Sequence, residues 1–195
     1  MRIKYTQRLS HALLFVMSWL LSASLLHAEV NASLQFAPYY AHHSMPQTFK
    51  HALDAASTVR KKGAIFYGHT NWRVDWTFST LALSNGACKL ADIKVNLKGT
   101  MVLPVLASKD ANTIIKFNKF LVALKNHEYG HYAHGQQAAS RINSKFNEYS
   151  VMASCDIAVV EANRMANEIV QQYIDESNRY DVNTQHGRTQ GAIVE

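Results

Sequence analysis

Proline and glycine are scarce in this chain, at three and eight among 195 residues. That scarcity excludes a collagen-like repeat, a proline-rich linker and a disordered tail. Charge is scarce as well, 17% of residues against 48% hydrophobic. Such a chain builds a real core, and its length suits one domain rather than two ordinary ones. No internal repeat or low-complexity tract is present. The formal net charge of +6 overstates the basic character, because residues 1–28 hold Arg2, Lys4 and Arg8 and no acid. Residues 29–195 keep 17 of the 20 basic residues against all 14 acidic ones. No run of Lys or Arg is longer than Arg60-Lys61-Lys62. The concentrated basic face of a nucleic-acid binder is missing, so no nucleic-acid partner is expected.

Long apolar runs are also lacking, with one exception. Ala12 to Leu26 is apolar apart from serines, follows the three positive residues, and closes on Leu26-His27-Ala28 before Glu29. A membrane-spanning helix needs about 20 apolar residues, more than this run supplies. The pattern predicts a cleaved secretory signal over residues 1–28, with an uncleaved anchor as the alternative. No cysteine lies near the cut, which argues against lipid attachment. Residues 29–195 are then expected to form a single secreted or periplasmic domain without stable membrane insertion. The two cysteines, Cys88 and Cys155, fall in that part. In an oxidising compartment they most simply pair with each other.

Residues 29 to about 106 carry mostly strand signals. Trp72, Val74, Trp76 and Phe78 alternate with Arg73, Asp75 and Thr77, the period of a half-buried strand. Residues 93–97 alternate in the same way, Lys98-Gly99-Thr100 suggests a turn, and residues 101–106 read as a returning strand. Pro104 places that strand at a sheet edge. Residues 47–62 read as a short helix, with Phe49, Leu53, Ala56 and Val59 at spacings of three and four. From Ala111 the chain turns helical. Ile114, Phe117, Leu121 and Leu124 mark an apolar face, and Asp110 or Asn112 is the expected N-cap. A second long helix is expected over residues 155–178, and residues 180–195 read as a loop over the helices.

The chemistry sits at His127-Glu128-Tyr129-Gly130-His131. Residues four apart on a helix lie about 40° apart and one turn along, so the two imidazoles can converge on one ion. Glu128 follows at about 100° from His127, beside the metal without ligating it. Zinc in such a site binds imidazole at about 2.0–2.1 Å and keeps a position for water, from which Glu128 could take a proton. Gly130 costs about 1 kcal/mol of helix propensity, which suggests that something approaches the backbone there. The third ligand is less plain. His134 lies seven residues from His127, about 10 Å along the axis, out of reach of an unbroken helix. Glu161, presented from the following helix, and His186, beside Gly187, remain as near-equal candidates. The His42-His43 pair is either a further metal site or a surface feature.

The chain resembles a bacterial domain-of-unknown-function family described as secreted zinc-dependent proteases. The resemblance rests on Tyr67-Gly68-His69-Thr70-Asn71-Trp72-Arg73-Val74-Asp75-Trp76, on Leu103-Pro104, on His127-Glu128-x-x-His131 and on Cys155. The ending Tyr180-Asp181-x-x-Thr184-x-His186-Gly187-x-x-Gln190-Gly191-Ala192 completes it. It implies a zinc peptidase with His127 and His131 as ligands, Glu128 as base, and His186 favoured over Glu161 as third ligand. The expected fold is α+β, a small zincin-like domain whose N-terminal twisted sheet precedes the long helices that carry the motif.

The expected activity is hydrolysis of a peptide or protein substrate with one Zn(2+) per chain, the substrate extended along the 101–106 edge. Tyr180 is expected to donate to the oxyanion or, alternatively, to pack on the core, and Asp181 to orient a ligand histidine. The alternatives are a secreted non-catalytic zinc- or peptide-binding protein and a cell-wall peptide metalloamidase.

Overall fold

The computed structural model describes residues 30–61 and 63–194. The secretory signal read from residues 1–28 lies outside them. Strand β1 (Asn31–His42) leads to helix α1 (Phe49–Ala56), and a small hairpin follows from β2 (Val59–Lys61) and β3 (Ala64–Phe66). Two long strands, β4 (His69–Ala82) and β5 (Cys88–Ala107), precede two long helices, α2 (Ala111–Asn147) and α3 (Cys155–Thr184). The main sheet has the order β1-β5-β4, with β1 parallel and β4 antiparallel to β5. The architecture is therefore α+β, a mixed three-stranded sheet with two long helices after it.

Alternation explains β4. Val74 is buried, and Trp72, Trp76 and Phe78 pack against the same core. The expected break at residues 98–100 does not occur, and β5 runs through it as one strand. A Cβ at Gly99 would sit 2.7 Å from the Tyr132 ring, so this glycine marks a close approach of α2 rather than a turn. The edge placement of Pro104 is also corrected, since β5 is central in the sheet. The β4 pairing nevertheless ends at His69–Val102, and Pro104 pairs only with Tyr39 of β1. One flank of β5 is open there, and a residue without an N–H is tolerated.

Helix α1 is shorter than the expected 47–62. Thr48 caps it by accepting from His51 N, and the Ser57 hydroxyl donates to the Phe66 carbonyl and turns the chain into the hairpin. Asp110 caps α2 as expected, accepting from Thr113 N at 2.7 Å. Phe117, Phe120 and Leu124 form the buried stripe, while Ile114 is exposed. Helix α3 begins at a Ser154 cap and extends to Thr184, past the expected end at 178. Gln185, His186 and Gly187 then adopt left-handed conformations that lead into a short 3-10 turn at Arg188–Gln190.

Two cores result. One lies between the sheet and the far halves of α2 and α3, and the other gathers α1, the start of α2, the end of β1 and Ala192. Cys88 and Cys155 form a disulfide that ties the start of β5 to the start of α3. Reciprocal backbone hydrogen bonds of 2.8 Å between Cys88 and Met152 reinforce it. Among the described residues no helix is long and apolar enough to cross a membrane.

Candidate metal centre

His127, Glu128 and His131 are all buried on α2 where it passes the last turns of α3. Across from them α3 presents a polar stripe. The buried positions Ala158, Ala162, Ala166 and Ile169 continue at helical spacing into Ser177, Asp181 and Thr184. The result is a group of three side chains that could hold a metal ion, His127, His131 and Asp181. The two Nε2 atoms lie 3.3 Å apart, and Asp181 Oδ1 is 3.2 Å from His127 Nε2 and 3.0 Å from His131 Nε2.

The other ring nitrogens are held from behind. His127 Nδ1 lies 2.9 Å from Gln190 Oε1 and 3.4 Å from the Thr184 hydroxyl, which itself donates to the Tyr180 carbonyl. Both partners can accept from Nδ1, an arrangement that leaves Nε2 to donate to Asp181 in the metal-free protein or to give its lone pair to an ion. His131 Nδ1 lies 2.8 Å from the Ser177 hydroxyl. The sequence alone gives Gln190, Thr184 and Ser177 no orienting role. The first two stand in the Tyr-Asp ending of the chain, and Ser177 carries no signal until α3 is seen to continue.

Burial pushes Asp181 up, but the His127 and His131 hydrogen bonds outweigh it and hold the carboxylate well below its ordinary range. Burial pulls His127 down, and the Asp181 and Gln190 contacts more than reverse this. Burial raises the Glu128 pKa from its ordinary value, against the nearby Thr70 hydroxyl and imidazoles. Glu128 Oε2 and Thr70 Oγ1 are both buried without a hydrogen-bond partner. Gly68 is required beside them, because a Cβ there would lie 2.5 Å from Glu128 Oε1. The segment 67–76 thus serves α2 directly, with Gly68 and Thr70 at Glu128 and Trp72 against Gly135.

Tyr180 stacks on His127, with ring centroids 5.0 Å apart and planes within 12°. Its hydroxyl end rests on Gly130, the close approach that the glycine suggests. The same hydroxyl bonds to the Gln190 side chain, so Tyr180 stands behind the imidazole. His186 is half exposed, with Nδ1 3.2 Å from Asp181 Oδ1, and falls outside the three-residue group. Glu161 is not brought to the site. It pairs with Arg164 at 2.8 Å, twenty residues before Asp181 on the same helix and so about 30 Å along its axis. His134 stays apart as expected, its Nδ1 4.0 Å from Glu176. His43 is a buried corner residue that engages Ser108 and the Gln47 carbonyl, and both of its ring nitrogens are committed. The segment Met101–Leu106, expected as a substrate edge, begins with residues paired on both sides and with Met101 fully buried.

The group opens on a cleft of about 900 Å3 whose walls come from β2, β3, the start of β4, α2, the end of α3 and residues 192–194. The chain belongs to the DUF922 family, described as bacterial protein of unknown function, which matches residues 36–187. That description assigns no activity, so the chemistry must be argued from the site. No curated protein and no solved structure matches the chain.

Proposed function

We propose that this chain is a secreted zinc-dependent peptide hydrolase in which His127, His131 and Asp181 hold the ion and Glu128 moves the proton. One observation carries the reading. Three basic donor atoms converge 3.0–3.3 Å from one another, beside a buried carboxylate with an unpartnered oxygen. Donors at about 2.0–2.1 Å from a tetrahedral zinc stand roughly 3.3 Å apart, so the spacing fits one ion with a fourth position open to the cleft. Two imidazole nitrogens and a carboxylate oxygen form a donor set that suits zinc.

A bound zinc ion supplies a Lewis acid that lowers the pKa of water to about 7 and polarises a carbonyl. The chain's own groups do the rest. Glu128, raised by burial, accepts the proton released as water adds to the scissile carbonyl. It returns that proton to the amine nitrogen as the C–N bond breaks. Gln190, Thr184 and Ser177 fix the imidazole tautomers, Tyr180 fixes the plane of His127, and His186 steadies Asp181 from the solvent side.

Glu128→Gln is expected to keep its zinc and to lose at least about a hundredfold in peptide cleavage. Unchanged cleavage in that variant would overturn the reading. Zinc retained with no cleavage even in wild type would leave a non-catalytic zinc protein. Products from purified cell-wall peptide but none from unfolded protein would make the enzyme a metalloamidase.

A further inference from the structure

The walls of the cleft carry a charge pattern that the metal centre does not use. Arg60, Lys61 and Arg188 line it, together with Lys50, His69 and His186, while among the described residues its only acids are Glu128 and Asp181. Lys50 is neutralised by Asp54 at 2.6 Å. Arg60 is held on the wall by a 2.8 Å bond from its guanidinium to the Asp54 carbonyl, which leaves its charge uncompensated by that contact. Lys61 and Arg188 have no carboxylate partner among the described residues.

The hairpin register sets the face on which Lys61 lies. Val59 pairs with Phe66 and Lys61 with Ala64, so Lys61 shares the face of Phe66 by strand alternation. Phe66 packs edge-on against His186, with centroids 4.8 Å apart, and His186 touches Asp181. Lys61 also acts on His69 and adds to the lowering of its pKa that burial begins. Lys61 therefore lies on the hairpin face whose Phe66 leads through His186 to the candidate metal group. Between the cations the cleft is apolar, floored by Val102, Phe120, Leu124 and Ala192. With zinc bound, the two positive charges of the ion offset Asp181 and Glu128, so the field in the cleft takes its sign from the rim.

We propose that the substrate is an acidic peptide, one that sets an apolar residue on the Phe120–Leu124 floor and carboxylate side chains against Lys61, Arg60 and Arg188. This rests on the peptide-hydrolase reading for the chemistry, but binding tests it separately. An apolar floor between cations does not suit a phosphodiester chain, whose charge is continuous.

The experiment measures fluorescence anisotropy of two labelled dodecapeptides on zinc-loaded Glu128→Gln protein. Both carry a central Leu-Leu, flanked by Glu in one and by Lys in the other. The Glu peptide is expected to bind about five- to tenfold more tightly, and the advantage to shrink as salt rises. Lys61→Glu is expected to remove most of that preference while zinc content and the circular dichroism spectrum stay unchanged. Equal binding of the two peptides, or a preference that survives Lys61→Glu, would overturn the proposal. So would tighter binding of a single-stranded oligonucleotide of equal charge. The outcome is independent of turnover: preferential binding with no cleavage by wild type would sink the hydrolase reading and keep the substrate class. Cleavage of both peptides at equal rates and with equal affinities would do the reverse.

Discussion

The two ends of the α2–α3 pair are built by opposite rules. At the disulfide end, Ala138, Ala139, Ile142 and Phe146 of α2 join Ala158, Ala162 and Ala166 of α3 in one core in which nearly every side chain is fully buried and apolar. Alanines let the helices approach, and two crosslinks, one covalent and one of backbone hydrogen bonds, close the loop. At the other end the same interface turns polar. His127, His131, Asp181 and Thr184 replace the alanines, and buried oxygens of Glu128 and Thr70 go without partners. Unpaired buried polar groups cost stability and are kept where they do chemistry. One end anchors the helices so that the other can hold a costly arrangement in register.

Breaking the anchored end is expected to have the largest effect. Replacing Cys88 and Cys155 together by alanine opens a bridge across a sequence separation of 67. The loop-entropy estimate gives a loss of about 4 kcal/mol, read from denaturant midpoints. The protein that remains folded should still bind zinc, and loss of zinc from that fraction would show that the ends are not separable. Phe146→Ala, fully within the same core, should cost about 3–5 kcal/mol by the same assay.

At the polar end the effects should fall on the metal rather than on the fold. Gly130→Ala gains about 1 kcal/mol of helix propensity, but its new methyl meets the Tyr180 hydroxyl and displaces the ring stacked on His127. Zinc affinity is expected to drop about tenfold or more while thermal stability of the metal-free protein changes little. Competition with a chromogenic chelator measures this, and unaltered affinity would contradict the role given to Tyr180.

The metal-free protein should also respond to pH at this end. The Asp181 pKa is depressed in the folded state. Its stabilisation is therefore present above the unfolded value of 3.8 and is lost as pH falls through the folded value. His127 is raised above 6.5, so its contribution is present below that value and fades as pH rises through the folded one. Zinc requires neutral imidazole, and its stabilisation should grow over the range where the His127 contribution fades. Melting temperatures with and without zinc between pH 5 and 8 would show the two trends diverging. Parallel curves would count against a shared site.

The smallest effect is expected from Glu161→Ala. It removes a partly exposed ion pair with Arg164, worth less than about 1 kcal/mol, and leaves zinc content untouched.

Legibility in the sequence followed the same division. Local signals were clear: the H-E-x-x-H spacing, the Asp110 cap, the alternation through Trp72 and Val74, and the pairing of the only two cysteines. Tertiary demands were not. Gly99 resembles a turn residue until Tyr132 is found lying on it, and Pro104 resembles an edge marker until the point where β4 ends is known. In the sequence Asp181 suggests a group that orients a ligand histidine, and it lies past the expected helix end at 178, whereas α3 runs on to Thr184. Extending the Ala158–Ala162–Ala166–Ile169 stripe would have carried it through Ser177 to Asp181 and Thr184. A buried stripe that changes from alanine to acid opposite an H-E-x-x-H helix is the signal that could have found that residue.

The most direct test of the account is zinc per chain in the purified protein, wild type beside Asp181→Ala, His186→Ala and Glu128→Gln. The account predicts about one zinc in wild type, as a three-ligand site holds. It predicts loss in Asp181→Ala, weakened retention in His186→Ala, and full retention in Glu128→Gln. Zinc kept by Asp181→Ala and lost only from His186→Ala would contradict the ligand set, and a wild-type chain that takes up no zinc would contradict the metal centre itself.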